Sequence, residues 1–420
     1  MTTSTSWLLR TNIFLLIGLS ISIPASKAGM NAFLYLYVIS SFSLLAFSDI
    51  KLSKPLSMLM KSSVAVFGIG AVLAIVSKGS FYDVAVYIQK YSYLLLPTAL
   101  VVSVVSFPKS LKWSIVAFLS SIVTCIFIDL YLFAFVYDFF DEGIIRLWGR
   151  IGYSRWPAVL ITGITITLLF LFNQKKRLTW AYGLCFILIS IFALILAGSK
   201  GGIVALAFVI SGFLLVVLSK SKKVAVALVF LLVFTLTTDF FQDNIANRGL
   251  TSSSLQSESI VARTTMIETA IELTKINLTH NMSYFLFGSG LDKPEVSFQQ
   301  TLDELPQAVS ENLIYQGRHW GYTDLHNSYL DQLFKNGLIF SLLFYWLLYL
   351  MVRTGFSATQ KVTQYQSLGI MYTSTIISFI IFNAFYSNFS DYAVYSQIYF
   401  IALALALPLV TEVSGKPGDE

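Results

Sequence analysis

Residues 321–337 read Gly-Tyr-Thr-Asp-Leu-His-Asn-Ser-Tyr-Leu-Asp-Gln-Leu-Phe-Lys-Asn-Gly. This stretch closes the one long polar segment of the chain and runs directly into an apolar one. Leu330, Leu333 and Gly337 follow at helical spacing, which predicts that His326 occupies the first turn of a helix that then enters a bilayer. His280, His319 and His326 are the only histidines, and all lie in the polar segment or at its edge. A general base, if the protein has one, is expected here.

Outside that segment the chain is apolar. Of its 420 residues, 56% are hydrophobic and 12% charged, and the mean hydropathy is +0.73. That balance predicts an all-α polytopic membrane protein and excludes an ordinary soluble domain or a nucleic-acid binder. Cys125 and Cys185 both fall in apolar runs, so no disulfide framework is implied. Met1 to Met30 has one basic residue, Arg10, before the run Ile13 to Ile23. A cleaved signal usually has a more basic start, so an uncleaved first span is expected.

About twelve spans are predicted, beginning near Trp7, Ala32, Ser62, Tyr91, Trp113, Pro157, Trp180, Gly201, Val224, Tyr329, Ser367 and Ala393. Three regions follow: nine spans over 1–239, a lobe over 240–328, and three spans with a tail over 329–420. Arg10, Lys51, Lys54, Lys61, Lys109, Lys112, Lys175, Lys176, Arg177, Lys220, Lys222, Lys223, Arg353, Lys361 and Lys416 fall to one side, 15 of the 28 basic residues. Only Asp49, Glu412, Asp419 and Glu420 accompany them. Both termini are therefore expected in the cytoplasm and the lobe outside.

Some cations break that rule. Arg146, Arg150 and Arg155 lie on the outer side between spans five and six, and Lys200 lies between spans seven and eight. A cation at the bilayer centre costs about 2.5–3.5 kcal/mol, less near the interface. Snorkelling to lipid phosphates accounts for any one of them. Several converging on one side instead suggest a site for an anionic headgroup. Asp129, within span five, is a functional candidate without an evident partner. Asp138, Asp141 and Glu142 read as an ordinary interfacial acidic cluster.

The lobe opens with Asn247-Arg248-Gly249 and a Ser-rich stretch, 251–259. Arg263 follows, then Met266, Ile267, Ala270, Ile271 and Thr274 at helical spacing, which predicts an amphipathic helix lying on the membrane surface. Arg263 would stand in its first turn, where free N–H groups favour an anion. Gly288-Ser289-Gly290 reads more simply as a tight turn than as a phosphate loop. The acidic residues Asp292, Glu295, Asp303, Glu304 and Glu311 are expected on a solvated face.

Asp-Leu-His-Asn-Ser-Tyr-Leu (324–330) followed by Lys-Asn-Gly-Leu (335–338) resembles the His-Asn signature of the O-antigen ligase and O-antigen polymerase superfamily. Lys200, Arg248, Arg263, Gly288-Ser-Gly290 and His326-Asn327 stand in that superfamily's order over residues 195–340. At Lys200 the family commonly has arginine, whose planar two-pronged contact to phosphate a lysine lacks.

The resemblance implies a GT-C type membrane glycosyltransferase in the bacterial inner membrane, working at the periplasmic face. Its donor would be a glycan on undecaprenyl pyrophosphate. A ligase transfers that glycan to a sugar hydroxyl of lipid A-core; a polymerase transfers it to another lipid-linked repeat. Arg263, Arg146, Arg150, Arg155, Arg248 and Lys200 would hold the pyrophosphate, His326 would be the base, and Asn327, Asp324, Gly288 and Gly290 would support it. Beyond these two substrates and membrane lipids, no cofactor, metal or nucleic acid is called for. Metal-dependent relatives carry carboxylates on the first outer loop, and Ile23 to Met30 has none. A bland role for His326 as a helix-capping interfacial residue competes with the catalytic one. Ligase is favoured over polymerase because a short His-Asn junction follows a single late lobe. A lipid-linked oligosaccharide flippase is the other class considered, disfavoured by the long lobe and the lack of a two-half repeat.

Overall fold

The computed structural model describes residues 3–48, 54–78, 81–136, 147, 149–152, 155–172, 177–217, 258–315, 317–319, 325–360, 376–384, 386 and 389. Helices dominate because backbone polar groups in an apolar surround must be satisfied within the segment. Seven of the described helical stretches are long and apolar enough to cross a membrane, and Trp156–Leu168 and Gly201–Ser211 are shorter apolar helices. The span expected from Val224 and the one from Ala393 lie outside the described residues. Of the one expected from Ser367, 376–384 is described, as helix.

The amino-terminal half is a helical bundle. Helices α1 (Thr3–Ala25) and α2 (Lys27–Phe47) form a hairpin about Ser26, whose Oγ accepts from Gly29 N at 3.1 Å and caps α2. Helix α3 (Lys54–Lys78) precedes α4 (Phe81–Tyr91), a 3-10 turn (Ser92–Leu95) and α5 (Leu96–Ser106). Next come α6 (Lys109–Phe135), α7 (Trp156–Phe172), α8 (Arg177–Leu196) and α9 (Lys200–Val217). Small and polar side chains tie the bundle together, as expected where lipid supplies no hydrophobic drive between helices. Asn12 Nδ2 donates to Ser41 Oγ (2.8 Å), Ser103 Oγ donates to Asn12 Oδ1 (2.6 Å), and Ser103 Oγ also bonds Tyr37 OH (2.6 Å). Helices α1, α2 and α5 thus share one buried polar knot.

The lobe consists of α10 (Glu258–His280), α11 (Met282–Phe287), α12 (Pro294–Asp303) and α13 (Gln307–Asn312). A two-residue antiparallel pair, β1 (Ile314–Tyr315) with β2 (Arg318–His319), follows and turns at Gly317 (φ 73°). That small pair is the one departure from the all-α expectation among the described residues. The lobe has its own core: Ala270, Leu273, Phe298, Leu302, Leu313, Leu325 and Phe334.

Helix α10 does not present its apolar stripe outward. Ala262, Met266, Ala270, Leu273 and Ile276 are buried, and Ile271 is exposed. The spacing identified a helix correctly, but its buried apolar face packs onto the lobe core, and because the helix begins at Glu258, Arg263 stands in its second turn rather than its first. The acidic residues Glu295, Asp303, Glu304 and Glu311 are exposed, as expected.

Two spans are broken. The first is α4–3-10–α5, with Pro97 just inside α5. The second is α14 (Ser328–Gln360), interrupted at Gly337 (φ 74°, ψ 174°). Non-helical backbone at such depth persists where protein covers it, and here the two breaks cover one another. Tyr91 OH donates to Gln332 Oε1 (2.6 Å), Asn336 Nδ2 donates to Tyr91 OH (2.7 Å), and the Tyr91 and Phe340 rings meet edge-on at 5.2 Å.

Candidate active site

Gly288-Ser289-Gly290 fits into the break of α14. Ser289 N donates to Phe334 O (2.9 Å), Gly290 N donates to Lys335 O (3.1 Å), and Ser289 Oγ reaches Phe334 O (2.9 Å). These bonds satisfy carbonyls that the interrupted helix leaves without partners. Gly288 (φ 91°) and Gly337 (φ 74°) cross so closely that a Cβ on either would collide with the other strand's backbone. The turn is therefore a clasp, and the N–H groups a phosphate loop would offer are already bonded. From the other side, Asp83 Oδ1 accepts from Leu291 N and Asp292 N, both at 2.9 Å. Asp83 explains why α4 begins ten residues before the expected span: its acid bonds the lobe rather than water.

The His-Asn junction sits at the head of α14. Asn327 is its cap, with Oδ1 accepting from Tyr329 N (3.1 Å) and Leu330 N (3.2 Å). His326 lies one residue outside that cap, half-buried, with left-handed backbone (φ 47°). The expected first-turn placement is therefore corrected: Asn327 takes the helix end, and that leaves His326 on the strained corner before it. Asn327 Nδ2 also donates to Ala384 O (3.3 Å). Ser328 Oγ bonds Asn383 Oδ1 (3.2 Å) and the carbonyl of Tyr386.

Tyr386 joins three of the predicted positions. Its ring lies under the Arg263 guanidinium, 5.6 Å from Cζ to centroid, a cation–π distance. Its hydroxyl bonds Ser199 Oγ at 3.0 Å. Ser199 in turn caps α9, whose first residue is Lys200, by accepting from Gly202 N at 3.0 Å. The Tyr386 carbonyl receives Ser328 Oγ, two residues from His326. Arg263, the start of α9 and the His-Asn junction thus converge on one phenol.

The loop bearing Arg150 and Arg155 and the start of α7 lie beside the α8–α9 junction. Leu147 N donates to Leu196 O at 3.1 Å, and a Cβ on Gly202 would stand 3.1 Å from Pro157 Cβ. Arg155 Nη1 donates to Ile151 O (3.0 Å), which folds it back on its own loop. Arg150 is exposed, and Asp129 in α6 is buried with its Oδ2 lacking a hydrogen-bond partner among the described residues. Arg146, Arg248 and Asp324 lie outside the described residues, as do Asp138, Asp141 and Glu142. Among the described residues, no three His, Cys, Asp or Glu side chains gather as a metal site would need.

Several residues at this junction carry little sequence signal. Tyr386 lies in a mixed apolar and polar stretch, Phe382-Asn-Ala-Phe-Tyr-Ser-Asn, that no motif marks, and Ser199 reads as part of a small-residue turn. Asp331 and Lys335 were legible in principle, because an i, i+4 charge pair inside a span is rare. Lys335 Nζ stands 2.8 Å from Asp331 Oδ1, with both side chains buried.

Fold and junction define a polytopic helical membrane protein with a capped His-Asn corner beneath a small helical lobe. Residues 184–345 match the family model described as O-Antigen ligase, and over that stretch the chain is similar to the O-antigen ligase and polymerase superfamily, a group of membrane glycosyltransferase-like enzymes. The match spans α8, α9, the described lobe and the first half of α14, and so includes Lys200, Arg263 and His326. No curated protein matches the chain.

Proposed function

We propose that this protein is an O-antigen ligase that transfers polysaccharide from undecaprenyl pyrophosphate to a sugar hydroxyl of lipid A-core. The reading is of a GT-C type enzyme in the bacterial inner membrane, with its site on the periplasmic face. The observation that carries it is the convergence at Tyr386 of Arg263, the capped start of α9 and the junction bearing His326. A fixed guanidinium and a helix amino terminus suit a leaving group whose negative charge grows as the bond breaks. A histidine beside them suits an acceptor hydroxyl that must lose a proton as it attacks.

In this scheme His326 removes the acceptor proton while the hydroxyl oxygen bonds the anomeric carbon. The glycosidic bond to pyrophosphate breaks, its electron pair leaves with undecaprenyl pyrophosphate, and the anomeric configuration inverts. Arg263 and Lys200 neutralise the departing charge, with Arg150, Arg155, Arg146 and Arg248 on the approach. Deleting the gene and running lipopolysaccharide on a gel tests the assignment. Loss of the whole ladder with accumulated lipid-linked polymer supports ligase; core bearing a single repeat means polymerase; unchanged lipopolysaccharide excludes both.

A further inference from the structure

A buried ion pair lies one helical turn into α14. Asp331 and Lys335 are 2.8 Å apart with side chains only 4% and 5% exposed. Burying such a pair is a poor route to stability, since desolvation offsets most of the attraction and apolar residues of similar size often do as well. Its other contact suggests a different role. Asp331 Oδ1 also accepts the backbone N–H of Leu325, at 3.3 Å, reaching back across the helix start. Leu325 itself is buried in the lobe core.

His326 is therefore held from both sides. Asn327 fixes the residues after it, and Asp331 fixes the residue before it. Between those two ties its backbone adopts φ 47°, a conformation that a non-glycine residue keeps only when its surroundings impose it. Lys335 Nζ donates to Asp331 Oδ2 (2.9 Å) and holds the carboxylate in place, and the Lys335 carbonyl is clasped by Gly290 N.

We infer that Asp331 and Lys335 form a positioning pair that braces the His326 corner for proton transfer. This rests on the reading of His326 as the base. Neither residue touches substrate; the pair acts through the Leu325 peptide. Displacing a reacting group by about 1 Å can cost on the order of 100-fold in rate.

The test uses the full-length chain in nanodiscs, with lipid-linked glycan and lipid A-core extracted from the deletion strain. Single substitutions leave a buried charge alone, so both charges are removed together. Asp331→Asn/Lys335→Met keeps an acceptor for Leu325 N–H and is expected to retain most of the turnover. Asp331→Leu/Lys335→Met and Asp331→Ala/Lys335→Met remove that acceptor. They are expected to lose kcat by about 10- to 100-fold with donor KM unchanged and the same melting temperature. In a His326→Ala background the same changes should cost nothing more.

Wild-type kcat in a folded acceptor-less pair would overturn the inference. So would equal losses in all three pairs, a loss that persists without His326, or failure of both acceptor-less pairs to fold while the Asn/Met pair folds. A fully active His326→Ala would instead sink the base assignment itself, which keeps the two failures distinct.

Discussion

His326 is the proposed base, and its position is legible only in part. The Asp-Leu-His-Asn pattern and the neighbouring span locate it, but which residue would cap α14 depends on side-chain competition that spacing does not encode. Asn327 wins because its short amide reaches Tyr329 N and Leu330 N. His326→Ala is expected to lower glycan transfer by about 10² to 10⁴ while the protein still folds and binds donor; near wild-type transfer by the purified variant would move the base elsewhere, with Asp324 next in line. Arg263 makes a second case. Its ring partner Tyr386 lies 123 positions away in an uninformative stretch, so no local signal pairs them. Arg263→Lys should rescue Arg263→Ala poorly, because an ammonium lacks the planar fork and stacks less well. Tyr386→Phe should keep donor KM near wild type, and Tyr386→Leu should raise it by about fivefold, the worth of about 1 kcal/mol of cation–π contact. Equal KM values for Phe and Leu at position 386 would remove the ring from the argument.

At the scale of elements, helices were the easy part: long apolar runs have few other ways to satisfy their backbones. The two breaks were not. Gly337 falls in step with Leu330 and Leu333, so its spacing predicts an unbroken helix, whereas its φ of 74° is imposed by Gly288 arriving from 49 residues upstream. Gly337→Ala and Gly288→Ala should each fail to give monodisperse protein or melt far below wild type, because alanine at positive φ with extended ψ costs about 1–3 kcal/mol before the backbone collision is counted. Gly68, inside α3, has open space where a Cβ would go. Gly68→Ala should therefore be neutral or stabilise slightly, by about 0.4–1 kcal/mol. If all three variants melt alike, the clasp is not what holds the lobe to the span. Sulfates or phosphates have no role in this expectation, since the N–H groups of Ser289 and Gly290 already bond carbonyls.

For the whole molecule, composition alone was enough to identify a polytopic helical membrane protein, and the clustering of lysines and arginines in short loops sets an expected orientation. A reporter fused after Lys223 is expected to read cytoplasmic and one inserted near Gln300 to read outside; the reverse pattern would invert the molecule and detach the mechanism from it. The convergence of α9, α10 and α14 on Tyr386 was not legible, because each contributes one or two contacts from distant parts of the chain. Sequence order brought Lys200, Arg263 and His326 into view as a set, but not the phenol that unites them.

The clasp between Gly288 and Gly337 also bears on how the protein comes to be made. Synthesis proceeds from the amino terminus, so the lobe helices emerge while the carbonyls of Phe334 and Lys335 have yet to be added. Phe334 and Leu325 belong to the lobe core as well. Until the ribosome has supplied the first half of α14, the lobe lacks two of its core side chains and the partners for its own turn. A nascent chain stopped before Leu325 should leave residues 258–319 open to protease, and one extended past Gly337 should protect them. The lobe is thus completed by the span that follows it, and its folding must wait for that span's insertion.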